Sequence, residues 1–163
     1  WKGIAALIDA SIKLKKTGLN IIPEIVGDGV LEAELKEHIQ KNNATTYVNL
    51  RGKLPKEELA KRVKASDAFV LNTSYEGLSH QLLEVMDIGT PIVTTPVGGN
   101  VELIADQNEG LLVGFNDCDA IVRALSLLQK DTEKSDMYVR NAREKAKLFR
   151  EDIIIPEIIS LFS

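Results

Sequence analysis

A single cysteine, Cys118, stands among 163 residues, so an internal disulfide framework is excluded and a reducing compartment fits. Only two histidines are present, His38 and His80, and nowhere do His, Cys and carboxylates cluster at metal-ligand spacing. No charge of one sign dominates: 20 Lys and Arg face 24 Asp and Glu, for a net charge of −4. The basic residues are interleaved with acids along helical faces, which argues against a nucleic-acid groove. No apolar run reaches membrane-spanning length, and no signal peptide is visible. Repeats, low-complexity tracts and interior linkers are missing too. These absences leave a cytoplasmic globular domain as the expectation. The hydrophobic fraction of 44% and charged fraction of 27% suit one domain over 1–163 with a core of its own.

What is present is an alternation of short apolar runs and helical periodicity. The spacing of Ile4, Leu7, Ile8, Ile12 and Leu14 predicts a helix over Lys2–Lys16. Ile21–Val26 is a predicted strand, followed by Gly27-Asp28-Gly29 and a helix carrying Leu31, Leu35 and Ile39. Strands are expected at Tyr47–Leu50, Ala68–Leu71, Pro91–Thr94 and Gly110–Val113. Helices are expected from Pro55 as first residue, over Ser79–Ile88 with Gly89 as the stop, and from Gly99 to Ile104. Further helices are expected over Asp117–Gln129, Glu133–Phe149 and Ile153–Phe162. Short, continuously apolar strands are buried on both faces, and strict strand–helix alternation means parallel βαβ units. The expected fold class is α/β, a Rossmann-like doubly wound parallel sheet.

One stretch carries chemistry. Glu76-Gly77-Leu78-Ser79 follows the strand at Ala68–Leu71, where open α/β sheets bind ligands, and Glu84 lies five residues beyond Ser79. Ser79 is a plausible N-cap, and the helix start offers N–H groups and a dipole to an anion. Glu84 is then about 7.5 Å along the helix axis, near the separation of a pyrophosphate from its ribose. A carboxylate can accept both hydroxyls of a vicinal diol. Glu76, before the helix, falls on the far side of the diphosphate, where a sugar would lie. Spacing alone leaves open that these are two surface acids near a helix start.

The linked motifs narrow this. Glu76 to Glu84, Met86, Gly89-Thr90-Pro91-Ile92-Val93, Val97-Gly98-Gly99-Asn100 and Glu102-Leu103-Ile104 resemble the C-terminal domain of retaining GT-B glycosyltransferases of the "glycosyl transferases group 1" type. Lys2-Gly3, Gly27-Asp28-Gly29 and Arg51-Gly52 resemble the family's strand ends. The resemblance implies a transfer of a sugar from a nucleotide-sugar donor to an acceptor hydroxyl with retention, without cofactor or metal. It implies that Glu76 is the catalytic-centre acid on the donor sugar. Lys2 would meet the diphosphate, the Gly77-Leu78-Ser79 backbone would cradle sugar and phosphate, and Glu84 would hold the ribose. Gly98 and Gly99 would line the donor pocket, and Arg51, Gly52 and Lys53 would lie near the base. The partners implied are the donor and an acceptor glycan, lipid or small molecule; no nucleic acid is among them, and peripheral membrane contact belongs to the other domain if it occurs.

The chain departs from the family at Leu78-Ser79, where Phe-Gly is common, and at His80, Gln81 and Asp87. Neither glutamate is affected. If Lys2-Gly3 follows the first strand, that central strand lies before Trp1, and the chain is expected to be a fragment lacking it and the N-terminal acceptor domain. The fragment alone is then expected to be inactive. Two other readings stay open: a nucleotide-sugar epimerase of the same fold, and a non-catalytic nucleotide-binding or interaction domain. An NAD-linked Rossmann domain fits less well, because Glu32 replaces the third glycine of Gly27-Asp28-Gly29. His80 is read as a first-turn polar residue, His38 as solvated, and Cys118 as inert packing.

Overall fold

The computed structural model describes residues 2–149. In chain order these are α1 (Ile4–Lys16), β1 (Glu24–Val26), α2 (Glu32–Lys41), β2 (Asn49–Gly52), α3 (Lys56–Ala65) and β3 (Phe69–Leu71). Then come α4 (His80–Ile88), β4 (Ile92–Thr94), α5 (Asn100–Leu103), β5 (Leu111–Leu112), α6 (Cys118–Lys130) and α7 (Thr132–Ala146). A short 3-10 turn, Lys147–Phe149, ends the described part. The amphipathic helix expected over Ile153–Phe162 lies outside the described residues.

Pairing between the named strands is parallel, as the alternation requires. It falls into two pieces, β1-β2 and β3-β4-β5, and no ladder joins β1 to β3 among the described residues. Helix α1 spans the division. Its Ile8 and Ile12 pack with Ile25, Ile39, Ala44 and Val48 beside β1. Its Ala6, Ala10 and Leu14 join Val93, Leu111, Val113 and Tyr138 beside β4 and β5. The two faces of one amphipathic helix thus hold both sheet pieces to the core, each buried aliphatic side chain contributing roughly 1.5–3 kcal/mol.

Helix ends follow local chemistry. Ser79, Asp117 and Asp131 cap α4, α6 and α7 by accepting the N–H groups of Leu82, Ala120 and Lys134. Gly89 ends α4 with φ 83°, as expected of a left-handed C-cap. Arg143 of α7 donates to the Ile88 carbonyl at 2.7 Å and occupies the space a Cβ on Gly89 would need.

Several boundaries differ from the sequence expectation. The strand expected over Ile21–Val26 is paired only from Glu24, because Pro23 has no N–H to give the ladder; its carbonyl still accepts from Asn49. The next strand runs over Asn49–Gly52 instead of Tyr47–Leu50, since parallel register with β1 decides it. Pro55 is the N-cap of α3, with φ −57° and ψ 148°, not its first residue.

Candidate functional site

The site is built at the C-terminal end of β3. Beyond Leu71 the chain enters Asn72 and Thr73, both buried, then the loop Ser74–Leu78, and re-enters the core at Ser79. Buried hydroxyls and an amide fix this loop. Thr95, after β4, donates its hydroxyl to the Thr73 carbonyl at 2.6 Å. Thr73 donates its own to the Tyr75 carbonyl at 2.8 Å. Asn100 donates to Thr94 Oγ1 and to the Thr95 carbonyl at 3.1 and 3.2 Å. Thr73 and Thr95 were not singled out from the sequence, where Asn100 stood only as the end of the Val97–Asn100 motif; the signal available for the threonines was polar residues directly after two buried apolar strands.

Gly98 and Gly99 complete the support. A Cβ on Gly98 would lie 1.7 Å from the Glu76 carbonyl oxygen, and Gly98 has φ 49°. A Cβ on Gly99 would lie 2.8 Å from the Gly77 carbonyl oxygen and from the Leu78 Cα. The glycine pair therefore lets the β4–α5 turn press directly on the backbone of Glu76–Leu78. Gly77 has the opposite surroundings: a Cβ there would meet nothing within 4 Å. It faces open space, as a position for close ligand approach must.

Lys2 and Glu76 meet at this point, far apart in sequence. Lys2 Nζ lies 2.9 Å from Glu76 Oε2, with the side chains 40% and 24% exposed. A pair this wet is worth under about 1 kcal/mol, so an incoming ligand can exchange for either partner. Glu84 lies on α4, is half exposed, and is paired with Lys56 of α3 at 2.6 Å. Lys56 is a residue the sequence reading did not pick out. Ser79 accepts the Leu82 N–H; the N–H groups of His80 and Gln81, at the helix start, have no acceptor within the helix.

Arg51 and Gly52 end β2, and Lys53 follows it. The Arg51 side chain is committed to Glu24 of β1, which also takes Arg62 of α3. The hydrogen bond from Arg51, followed by that from Arg62, holds the Glu24 carboxyl below its ordinary 4.5. Gly52 has φ 64° and its carbonyl accepts the Gly27 N–H at 2.8 Å, tying the first two strand-end turns together. The structure thus gathers Lys2, Glu76, Gly77, Leu78, Ser79, Gly98 and Gly99 around one loop. Glu84 lies little more than one turn along α4, and Arg51–Lys53 lie at the end of β2, before α3.

His80 is exposed at the first position of α4, and His38 pairs with Asp9 at 2.6 Å. Cys118 is partly buried, and burial pushes its thiol up from the ordinary value. Among the described residues no group of three His, Cys, Asp or Glu side chains is placed to hold a metal ion. No helix among them is long and apolar enough to cross a membrane.

Parallel strands alternating with helices, and a capped helix start beyond β3, make this a Rossmann-like α/β fold. The chain belongs to the glycosyl transferases group 1 family, whose model matches residues 1–145. It is 33% identical over 77% of its length to the UDP-Gal:alpha-D-GlcNAc-diphosphoundecaprenol alpha-1,3-galactosyltransferase of Escherichia coli, covering 33% of that protein. It is 31% identical over 90% of its length to the amylovoran biosynthesis glycosyltransferase AmsK of Erwinia amylovora, covering 37% of it. Among solved structures, sucrose-phosphate synthase from Thermosynechococcus elongatus superposes with a TM-score of 0.82 at 26% identity, over 99% of this chain and 41% of that one. The chain thus spans well under half the length of these relatives, consistent with the C-terminal half of a GT-B glycosyltransferase.

Proposed function

We propose that this chain is the donor-binding half of a glycosyltransferase that moves a sugar from a nucleotide-sugar to an acceptor hydroxyl with retention of configuration. The observation that supports it most is the meeting of Lys2, Glu76 and the start of α4 beyond β3. When a donor enters, its diphosphate takes over Lys2 and the N–H groups at the start of α4, and the sugar hydroxyls take over Glu76. The bond from the anomeric carbon to the diphosphate breaks and a bond to the acceptor oxygen forms, while the acceptor proton passes to an oxygen of the departing diphosphate. Negative charge grows on the departing diphosphate. A lysine ammonium and a helix N-terminus are already oriented toward it and stabilise that charge where it develops. Glu76 orients the sugar, an effect of proximity. Glu84 exchanges Lys56 for the ribose hydroxyls. No metal or cofactor takes part in this scheme.

The base would lie near Arg51, Gly52 and Lys53, as the family resemblance implies. UDP is the first nucleotide to test, because the E. coli relative is named for a UDP-sugar. The acceptor, a glycan, lipid or small molecule, would be held by a second domain of a cytoplasmic protein, with any peripheral membrane contact made there.

The test is Glu76→Gln in the full-length protein. Turnover should fall by about 10²-fold or more, the scale of a misplaced reacting group, while affinity for the sugar-free nucleoside diphosphate stays within about twofold. If diphosphate affinity fell as much as turnover, Glu76 would be a nucleotide ligand and the assignment would fail. The anomeric configuration of the product, read by NMR, checks retention.

A further inference from the structure

We propose that Asn72 and Asn116 form a latch that positions Lys2 for the donor diphosphate, a role that rests on the function just proposed. Asn72 follows β3, and its side chain is buried, with only 5% of the residue exposed. Its Nδ2 donates to the Gly3 carbonyl at 2.8 Å and reaches Asn116 Oδ1 at 3.3 Å. Its Oδ1 accepts the Asn116 N–H at 3.1 Å. The Asn72 backbone carbonyl in turn accepts the Gly3 N–H at 2.8 Å. One amide side chain therefore joins three segments: the end of β3, the Lys2-Gly3 turn before α1, and the turn between β5 and α6.

The latch closes only because Gly3 has no Cβ. One there would lie 2.1 Å from Asn116 Oδ1 and 2.3 Å from Asn72 Nδ2. Asn116 has φ 58°, a left-handed conformation that asparagine tolerates better than most residues. Lys2 is the residue next to the clamped glycine, it bridges to Thr73 next to Asn72, and its ammonium reaches Glu76. With α1 carrying no side-chain cap of its own, these contacts set where the helix start and its lysine stand. Asn72 touches no substrate; it acts through Lys2.

The test is a double-mutant cycle in the full-length protein. Affinity is measured by calorimetry for whichever of UDP, GDP and ADP binds tightest, and for the matching monophosphate. Lys2→Ala should weaken diphosphate binding about tenfold or more, the scale of a lost charge-assisted contact. Asn72→Leu, similar in shape but without hydrogen bonds, should weaken diphosphate binding about three- to tenfold and leave the monophosphate within about twofold. Combined with Asn72→Leu, Lys2→Ala should then bind diphosphate within about twofold of Lys2→Ala alone, because the two act as one unit. Full additivity, or equal weakening of mono- and diphosphate, overturns the latch while leaving Lys2 as a ligand. An unchanged affinity in Lys2→Ala alone overturns the assignment of Lys2, and the latch with it. Should Asn72→Leu fail to fold, Asn116→Gly decides by the same criteria, since glycine keeps the left-handed backbone and removes only the Oδ1 contact.

Discussion

Replacing Gly98 by alanine should damage both stability and turnover, because the glycine pair carries the Glu76 loop. The new Cβ would lie 1.7 Å from the Glu76 carbonyl oxygen and 2.9 Å from its carbonyl carbon. Both are backbone atoms, so no side-chain rotation relieves the overlap. Holding alanine at φ 49° adds roughly 1–2 kcal/mol for the left-handed conformation. Overpacking a tight site adds about 1–3 kcal/mol. The sum, roughly 2–5 kcal/mol, is a large share of a typical stability of about 5–15 kcal/mol. In urea the midpoint should fall by on the order of 1–2 M at an unchanged slope. The Glu76 backbone must also retreat by more than about 1 Å, a misplacement worth about 10²-fold in turnover. Gly29→Ala is the control: its Cβ would meet nothing within 4 Å, and its midpoint should match the wild type. A wild-type midpoint and turnover for Gly98→Ala would refute the close approach of the two turns.

Other expectations follow from the same geometry. Glu84→Ala should weaken donor binding by about 1–3 kcal/mol, since ribose hydroxyls lose their acceptor; unchanged affinity by calorimetry would remove Glu84 from the site. Gly77→Ala should leave the urea midpoint in place, since its Cβ meets no protein atom, yet raise the dissociation constant for the donor; a donor affinity equal to wild type would show that no ligand approaches there. Glu24 is held below 4.5 in the folded chain by Arg51 and Arg62, so its contribution is present above the unfolded value and lost as pH falls through the folded one. Stability curves of wild type and Glu24→Gln should therefore differ by under about 1 kcal/mol at pH 7 and converge below pH 4.5; a constant gap would contradict the pairing.

The order of elements was legible because each rests on local information. Apolar runs and helical spacing marked the strands and helices, Ser79 and Gly89 marked both ends of α4, and the Glu76–Glu84 run was placed after β3, where the structure has it. The strand boundaries near Pro23 and Tyr47 were not, since parallel register is a property of two strands and neither carries it alone. Glycines illustrate the same limit. Gly98 and Gly77 look alike in sequence, yet one abuts backbone and the other faces open space.

The sequence by itself determined the α/β class and, through its linked motifs, the family, and it drew attention to the two acids Glu76 and Glu84, because periodicity, capping and motif spacing are short-range properties. Only the tertiary structure decided what those acids meet. Lys2 reaches Glu76 and Lys56 reaches Glu84 because packing carries α1 to the end of β3 and α3 alongside α4. The buried supports, Asn72, Thr73, Thr95 and Asn100, are likewise defined by partners on other segments. A hydrogen bond across tens of residues leaves no trace in local pattern, since its cost and its reward both arise when the core closes around it.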